Sequence, residues 1–250
     1  MSSRASSHRD RLGILLRMQL ARVRTAWRPY VIVSSAMPLG IAVLLRAVMD
    51  PKQVDRFGEQ IVAGSVVLAI AMTAVVMLAQ RIASLKENGG LEFYSSLPVR
   101  RWMVIASVLV SFAIFSLPGT IIVTVLGALL FNLSFAALWA AVPVWALGSF
   151  ALAGVGVAVG LAAPDEQLAG MYSNLAMMAV LFLGIIPAGK LPGWLGPVRA
   201  VLPSTYAVQA LKPGLEGTIS GGQVVDLAIL AGFGALLFWA VRGPLWPRPE

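Results

Sequence analysis

The sequence predicts an all-α membrane protein with six transmembrane helices, and three observations support this fold class. Hydrophobic residues make up 58% of the 250 residues and charged residues 12%, about half the charged share of an ordinary soluble domain. Six apolar runs are long enough to cross a bilayer, which takes about 20 residues. The basic residues flank these runs, as expected for anchors against anionic lipid headgroups. They form no groove-like patch, so the net charge of +8 does not indicate nucleic-acid binding.

The region before the first apolar run divides into two parts. Residues 1–10 are predicted to be a disordered polar tail. Residues 11–28 place a leucine-rich arc between arginines at helical spacing, which predicts a helix lying in the membrane surface. A basic helix that binds calmodulin or nucleic acid is the alternative, and the apolar run that follows at once disfavours it. The residues assigned to the membrane surface are Arg11, Arg17, Arg22, Arg24, Trp27 and Arg28.

The six predicted spans follow in order, and proline interrupts three of them. Pro38, Pro118 and Pro143 predict bends in the first, third and fourth spans. Residues 187–222 contain five prolines among apolar residues, so we predict short re-entrant helices that dip into the membrane from outside. The predicted spans are 30–48, 61–79, 103–131, 135–163, 168–186 and 224–241, within a single domain of residues 11–241 that a tail of residues 242–250 follows.

The distribution of arginine and lysine predicts the orientation of these spans. Of the 19 basic residues, 13 fall on the side of the N-terminus and 6 on the other side. Basic residues concentrate on the cytoplasmic side of a membrane protein. We therefore expect a multi-pass protein of the cytoplasmic membrane with both termini in the cytoplasm.

The connection between the second and third spans, residues 81–102, is the most polar interior segment and is called the polar loop below. Asn88, Gly89 and Gly90 predict a helix break. The apolar and aromatic residues after them predict a short amphipathic helix that ends before Pro98. A short helix held just outside the bilayer has the form of a docking element for a soluble partner. An ordinary cytoplasmic connection is the alternative.

The sequence offers no catalytic or nucleotide-binding chemistry. Its one histidine, His8, lies in the polar tail, and it contains no cysteine and no Gly-x-x-x-x-Gly-Lys-Ser/Thr loop. No acidic residue lies in the middle of a predicted span, which argues against a carrier driven through intramembrane carboxylates and against an intramembrane hydrolase. We expect no cofactor in this chain. ATP-driven transport would therefore need a separate polypeptide to bind the nucleotide.

Four sequence motifs on the six-span frame resemble the permease subunits of ABC type-2 exporters. They are KENGGLE at residues 86–92, SLPVR at 96–100, LPGWL at 191–195 and LPSTY at 202–206. Gly90 departs from the family pattern, which more often has Thr or Ser there.

The resemblance implies a dimer of permeases, each coupled to an ABC ATPase that binds ATP and Mg²⁺. The polar loop would contain the coupling helix that docks on this ATPase. For Glu92, a solvated helix position is the alternative. Asp165 and Glu166, in the connection after the fourth span, are a second candidate contact, or Asp165 instead caps the next helix. The implied ATPase-coupling residues are Lys86, Glu87, Gly89, Gly90, Leu91, Glu92, Phe93, Tyr94 and Pro98.

Cargo is inferred from the absence of charge within the spans. A route without buried charge suits a small hydrophobic or amphipathic compound such as a drug, an antibiotic or a lipid, which predicts export of the multidrug-efflux kind. Export of a lipid-linked polysaccharide is the alternative. A membrane anchor for a soluble ATPase, without a transport route, is the alternative from another class. An ATPase gene beside this one, and the genes around the pair, would help to decide.

Two patterns inside the spans leave further alternatives open. Gly156 and Gly160, four residues apart, predict a close helix approach, either inside one subunit or between two copies. Met171, Met177 and Met178 either line an adaptable hydrophobic route or belong to the core and the lipid-facing surface.

Overall fold

The all-α fold class is confirmed by a computed structural model, which describes residues 27–90, 101–133, 137–185, 196–217 and 220–242. These residues are almost entirely helical. Trp27 and Arg28 begin the first helix, and the other residues of the predicted surface helix lie outside the described ranges. In chain order the helices are α1 (Trp27–Val48), α2 (Pro51–Ala71), a π-helical segment (Met72–Met77), α3 (Leu78–Glu87), α4 (Arg101–Leu130), α5 (Ala137–Ala162), α6 (Glu166–Ile185), α7 (Gly196–Val201), α8 (Pro203–Leu215) and α9 (Gly221–Arg242).

Five helices in the described part of the chain are long and apolar enough to cross a membrane. They match five of the six predicted spans in position and order. The predicted fifth span, 168–186, is represented by α6, a helix of 20 residues, and its crossing of the membrane stays a prediction. The five candidate spans are Tyr30–Val48, Pro51–Glu87, Ala106–Leu130, Ala141–Ala162 and Gly221–Trp239.

The second candidate span is one continuous helix of 37 residues, formed by α2, the π-helical segment and α3. We call it the long helix. At 1.5 Å per residue it is about 55 Å long, well beyond the hydrocarbon thickness of about 30 Å. It begins ten residues before the predicted start of the span at residue 61. Pro51, which is favourable in the first turn of a helix, starts it, and Val54 and Gly58 are buried among its charged residues.

The long helix forms the centre of the bundle. In its most apolar stretch 89% of the residues are buried, compared with 22% in α1 and 17% in α9. A helix that is apolar all round is expected at such a central position. Its largest fully buried side chains are Val62, Val66, Val67, Leu68, Ile70, Val75 and Leu78.

Small residues bring α4 close to both α1 and the long helix. Gly119 of α4 lies directly against the Ser34 side chain of α1. A Cβ atom at Gly127 would lie 2.9 Å from Cγ1 of Val62. The chain turns tightly after α4 at Asn132, which has a φ of 53°. Together these contacts fix α4 as a direct neighbour of the central helix.

The proline-rich segment between α6 and α9 contains two helices in its described part, α7 and α8. The prediction of short helices in this segment is therefore confirmed for its described part, whereas their dipping into the membrane stays a prediction. The hydroxyl group of Tyr206 in α8 donates to the carbonyl of Ala200 in α7 at 2.8 Å, which ties the two together. The α8 helix is largely buried, and a Cβ atom at Gly148, near the middle of α5, would lie 3.8 Å from Cβ of Ala207.

Candidate functional site

The C-terminal end of the long helix, where the polar loop begins, is the candidate site. The α3 helix ends at Glu87, and Gly89 has a φ of 65°, a conformation that glycine adopts readily after a helix end. The Asn88 side chain donates from Nδ2 to the Ser84 carbonyl at 2.8 Å. The helix break predicted at these residues is therefore confirmed.

The remaining coupling residues predicted in the polar loop are not described by the structure. Leu91, Glu92, Phe93, Tyr94 and Pro98 all fall between the described ranges 27–90 and 101–133. Their contact with an ATPase stays a prediction. What the structure describes is the helix end from which this part of the loop departs.

Lys86 binds the end of a different helix. Its Nζ donates to the carbonyl oxygens of Leu161, at 3.2 Å, and Ala163, at 3.1 Å. The last carbonyls of a helix have no acceptor role within it, and Pro164 follows with no N–H group to offer. A cation at the negative end of a helix dipole contributes about 0.3–1 kcal/mol at an exposed position. Lys86 therefore caps the C-terminal end of α5.

Glu87, the next residue, binds the start of the following helix. Its Oε2 accepts the backbone N–H of Glu166 at 3.1 Å. Glu166 is the first residue of α6, so this N–H has no partner inside the helix. A carboxylate is also the charge that the positive end of a helix dipole favours. Two adjacent residues of α3 thus bind the two helix ends on either side of residues 163–165, which we call the α5–α6 turn.

Asp165 caps α6 from within that turn. Its Oδ1 accepts the backbone N–H of Leu168 at 2.7 Å, the geometry of an N-cap residue bonded three positions ahead. The capping role predicted as one alternative for Asp165 is therefore confirmed. A contact of Asp165 or Glu166 with an ATPase stays a prediction, and the Glu166 side chain is exposed.

Small residues beneath these hydrogen bonds hold the three segments together. Ala83 of α3, Ala163 of the turn and Ala169 of α6 form a fully buried cluster. A Cβ atom at Gly160 of α5 would lie 2.6 Å from the Ala79 carbonyl oxygen, and one at Gly170 of α6 would lie 2.8 Å from Nε2 of Gln80. The end of the long helix is therefore packed directly between α5 and α6.

The Gly156–Gly160 pair lies in this same packing, inside one subunit. Gly156 contacts the backbone carbonyls of Ala74 and Val75 in the π-helical segment, which decides between the two alternatives for the pair. The methionine set does not act as a unit: Met177 is 4% exposed, whereas Met171 and Met178 are about half exposed. Met177 therefore belongs to the core, whereas a role of Met171 and Met178 in a route stays a prediction.

A second feature lies between α4 and α5, where α4 carries a row of buried hydroxyl groups. Each donates to a carbonyl three or four residues earlier in its own helix, so the row is satisfied internally. Trp145 of α5 donates from Nε1 to Oγ of Ser116 at 2.9 Å and to the Ala113 carbonyl at 3.1 Å. The hydroxyl row consists of Ser107, Ser111, Ser116, Thr120 and Thr124.

A cavity of about 110 Å³ lies next to Trp145. Its walls come from α4 and α5 and are apolar apart from two threonine hydroxyls that are already bonded to their own helix. The site could hold hydrocarbon and offers no charge to an ion. Its lining includes Leu117, Thr120, Ile121, Thr124, Val142 and Trp145.

The fold and these sites agree with the comparison with known families. Residues 26–242 match the family model described as ABC-2 family transporter protein. The chain belongs to this family. The five long, apolar helices of its described part agree with a membrane protein of this family. The resemblance seen in the sequence motifs is thereby confirmed at the level of the family.

One relative adds a weaker similarity. The ABC-2 protein is 27% identical over 110 residues to Nodulation protein J of Sinorhizobium fredii (strain NBRC 101917 / NGR234). The aligned part covers 43% of this chain and 42% of that relative. The similarity spans less than half of either protein.

Sequence reasoning alone missed the contact between the polar loop and the α5–α6 turn. Lys86 and Glu87 were predicted as ATPase-coupling residues, and the structure places both against helix ends of their own chain. A signal was present in the small residues Gly160, Ala163 and Ala169, which indicate close packing on both sides of Pro164.

Proposed function

We propose that this chain is the permease subunit of an ATP-driven exporter that moves a small hydrophobic or amphipathic compound out of the cell. The ATP and Mg²⁺ are bound by a separate ABC ATPase subunit. One observation carries the proposal: a continuous helix of 37 residues reaches beyond the bilayer and ends where the polar loop begins. Membership of the ABC-2 family supports the transport role.

The polar loop is the docking element in this proposal. Its predicted short helix, with Leu91, Glu92, Phe93 and Tyr94, contacts the ATPase. Closure of the ATPase on ATP pushes this helix, and the push enters the bundle through α3. The rigidity of this route is supported by the burial of α3 between α5 and α6.

Six spans with the N-terminus in the cytoplasm complete the proposed topology. At 1.5 Å per residue the 20 residues of α6 measure about 30 Å, the thickness of the hydrocarbon layer. With α6 as the fifth span, the polar loop and the α5–α6 turn lie on the same side. The hydrogen bonds between them support that common side.

We place α8 as a re-entrant helix on the outer side. Its Tyr206 ring lies 6.3 Å from the ring of Phe233, near the middle of α9, and Ala207 lies beside Gly148, near the middle of α5. At its other end, the side chain of Glu216 lies beside that of Glu59, close to the outer end of the long helix. These contacts support a helix that begins at mid-depth and rises to the surface.

The proposed cargo follows from the lining of the α4–α5 cavity and from the charges that the spans lack. An apolar lining favours a hydrocarbon group, whereas an ion that entered this cavity would lose its hydration without gaining polar contacts. Two permease copies are proposed to enclose the route. The exposed apolar faces of α1 and α9 leave surface for lipid and for a second copy.

The docking proposal is tested with Phe93→Ala and Tyr94→Ala in the permease, produced together with its ATPase. We expect reduced recovery of the ATPase on the permease and loss of cargo-stimulated ATP turnover in vesicles. Trp139→Ala is the matched control, because Trp139 is an aromatic residue 84% exposed at the opposite end of the bundle. Unchanged association and turnover in both loop variants would refute the docking role.

The cargo is tested in vesicles with a panel that includes apolar drugs, phospholipid and a lipid-linked glycan. Transport of one of them identifies the class of cargo, whereas a membrane anchor would transport none.

The second ATPase contact is tested by reversing one exposed charge. Glu166→Lys should weaken ATPase association if its side chain meets the ATPase. Gln167→Lys places the same side chain at the neighbouring exposed position and serves as control, although it changes the charge by +1 and not by +2. Equal association in wild type and both variants would leave Asp165 and Glu166 with a role inside the permease only.

A further inference from the structure

We propose that Lys86 and Glu87 are positioning residues that make the α5–α6 turn move together with the polar loop. We call the pair the Lys86–Glu87 clamp. This inference rests on the proposed function, because it concerns how a push on the polar loop enters the membrane helices. It assigns the two residues a role inside the subunit rather than at the rim of an ATPase contact.

The geometry of the clamp explains why the two segments move as one. Lys86 binds the last carbonyls of α5, and Glu87 binds the first N–H of α6. Because the two residues are adjacent at the end of α3, no displacement of α3 along or across the turn preserves both sets of bonds. The buried alanine cluster of Ala83, Ala163 and Ala169 packs the same segments directly against one another.

Each charge of the clamp matches the dipole of the helix end that it binds. The cation lies at the negative end of the α5 dipole, and the anion lies at the positive end of the α6 dipole. Exchanging the two residues keeps the net charge and the exposed groups of the loop but reverses both dipole contacts. The exchange therefore separates a positioning role from a general need for charge at this surface.

Transmission follows from the helices that the clamp joins. The long helix continues into the polar loop, and α5 and α6 end at the turn. A displacement of the loop end therefore reaches three membrane helices, the long helix, α5 and α6, instead of one. The close contacts of Gly160 with Ala79 and of Gly170 with Gln80 carry the same displacement to the last turn of α5 and the first turns of α6.

The first test uses charge exchange in the complete permease–ATPase complex in vesicles. The double variant Lys86→Glu with Glu87→Lys should keep ATPase recovery within about twofold of wild type but lower cargo moved per ATP hydrolysed by about tenfold, the effect of about 1.4 kcal/mol. Lys86→Arg and Glu87→Gln keep a donor and an acceptor and should transport like wild type. Wild-type transport per ATP in the exchanged variant would overturn the proposal.

The second test cross-links the two segments that the clamp joins. The chain contains no cysteine, so only introduced cysteines can react. Cysteines are introduced as Glu87→Cys with Glu166→Cys and joined by a short flexible bis-maleimide in the assembled complex. We expect efficient cross-linking with and without ATP, and higher transport per ATP in the linked complex than in the unlinked double variant, because the link replaces the hydrogen bond that Glu87→Cys removes. Inefficient cross-linking, or loss of transport on linking, would show that the two segments separate during the cycle and would overturn the proposal.

The two proposals fail in different ways. If Phe93→Ala and Tyr94→Ala leave ATPase association unchanged, the docking role of the polar loop is lost whatever the clamp does. If those variants uncouple the complex as expected while the locked clamp blocks transport, only the clamp is refuted. Lys52→Cys with Glu87→Cys, a pair at opposite ends of the long helix, is the control that should never cross-link.

Discussion

Gly156 of α5 lies directly against the backbone carbonyl of Ala74, inside the π-helical segment of the long helix. A Cβ atom at Gly156 would also lie 3.0 Å from the Val75 carbonyl oxygen. Contacts between a glycine Cα–H and a carbonyl oxygen are favourable where helices approach closely. Backbone cannot move aside as the end of a flexible side chain can, so this contact has no tolerance for a methyl group.

Gly156→Ala is therefore expected to destabilise the permease. Overpacking typically costs about 1–3 kcal/mol, and 1 kcal/mol corresponds to about 2–4 °C in a protein of this size. We expect the Tm of the purified protein in detergent to fall by about 2–12 °C. Gly232→Ala is the control, because a Cβ atom at Gly232 meets nothing within 4 Å and alanine favours helix. An unchanged Tm in Gly156→Ala would contradict the close approach.

Two substitutions of Asp165 test whether its hydrogen bond to the helix end or its charge stabilises α6. Asp165→Asn keeps an oxygen that can accept the Leu168 N–H, whereas Asp165→Ala removes it. We expect the alanine variant to lose about 0.5–2 kcal/mol of stability and the asparagine variant to unfold close to the wild-type Tm. Thermal unfolding of the two purified variants measures this difference. Equal destabilisation in both would show that the charge, and not the cap, matters at this position.

Trp145 links α5 to the hydroxyl row of α4. Trp145→Phe keeps most of the ring but removes the Nε1–H that donates to Ser116 and Ala113. A typical buried hydrogen bond contributes about 0.5–1.5 kcal/mol, so we expect a lower Tm by a few degrees. Trp239→Phe, at a side chain that is 72% exposed, should leave the Tm unchanged. Equal Tm values for the two variants would count against a stabilising role of the Trp145 hydrogen bonds.

The orientation is open to direct labelling because the chain contains no cysteine. Lys52 and Gln167 are both exposed, at opposite ends of the bundle. In right-side-out vesicles, Lys52→Cys should react with a membrane-impermeant maleimide, whereas Gln167→Cys should react only after permeabilisation. The reverse pattern would place the polar loop outside the cell, where no ATPase could reach it.

Much of the fold could be predicted because length and polarity decide it. Apolar runs of about 20 residues identify spans, and Asn88 with Gly89 ends a helix for local conformational reasons. The cap at Asp165 is similarly local. The early start of the long helix could not be predicted from residues 51–60, because most of their side chains are polar or charged. Only a small face that includes Val54 and Gly58 is buried and keeps this stretch in the bundle.

The contacts of Lys86 and Glu87 were harder to predict than the fold because both side chains bind backbone atoms. Lys86 binds carbonyls of residues 75 and 77 positions later in the chain, and every residue carries such a carbonyl. No side-chain pattern marks the one that will be bound. The π-helical segment has the same difficulty, since its residues, MTAVVM, would suit an ordinary α-helix equally well.

The π-helical segment sets how the residues that follow it in the long helix are rotated about the helix axis. A π turn holds one residue more than an α turn, and each residue turns an α-helix by about 100°. If all six residues from Met72 to Met77 instead formed regular α-helix, the extra residue would swing Lys86 and Glu87 about 100° around the helix axis, away from their carbonyl and amide targets. By absorbing one extra residue without that rotation, the π turn determines which azimuth the end of the long helix presents to α5 and α6.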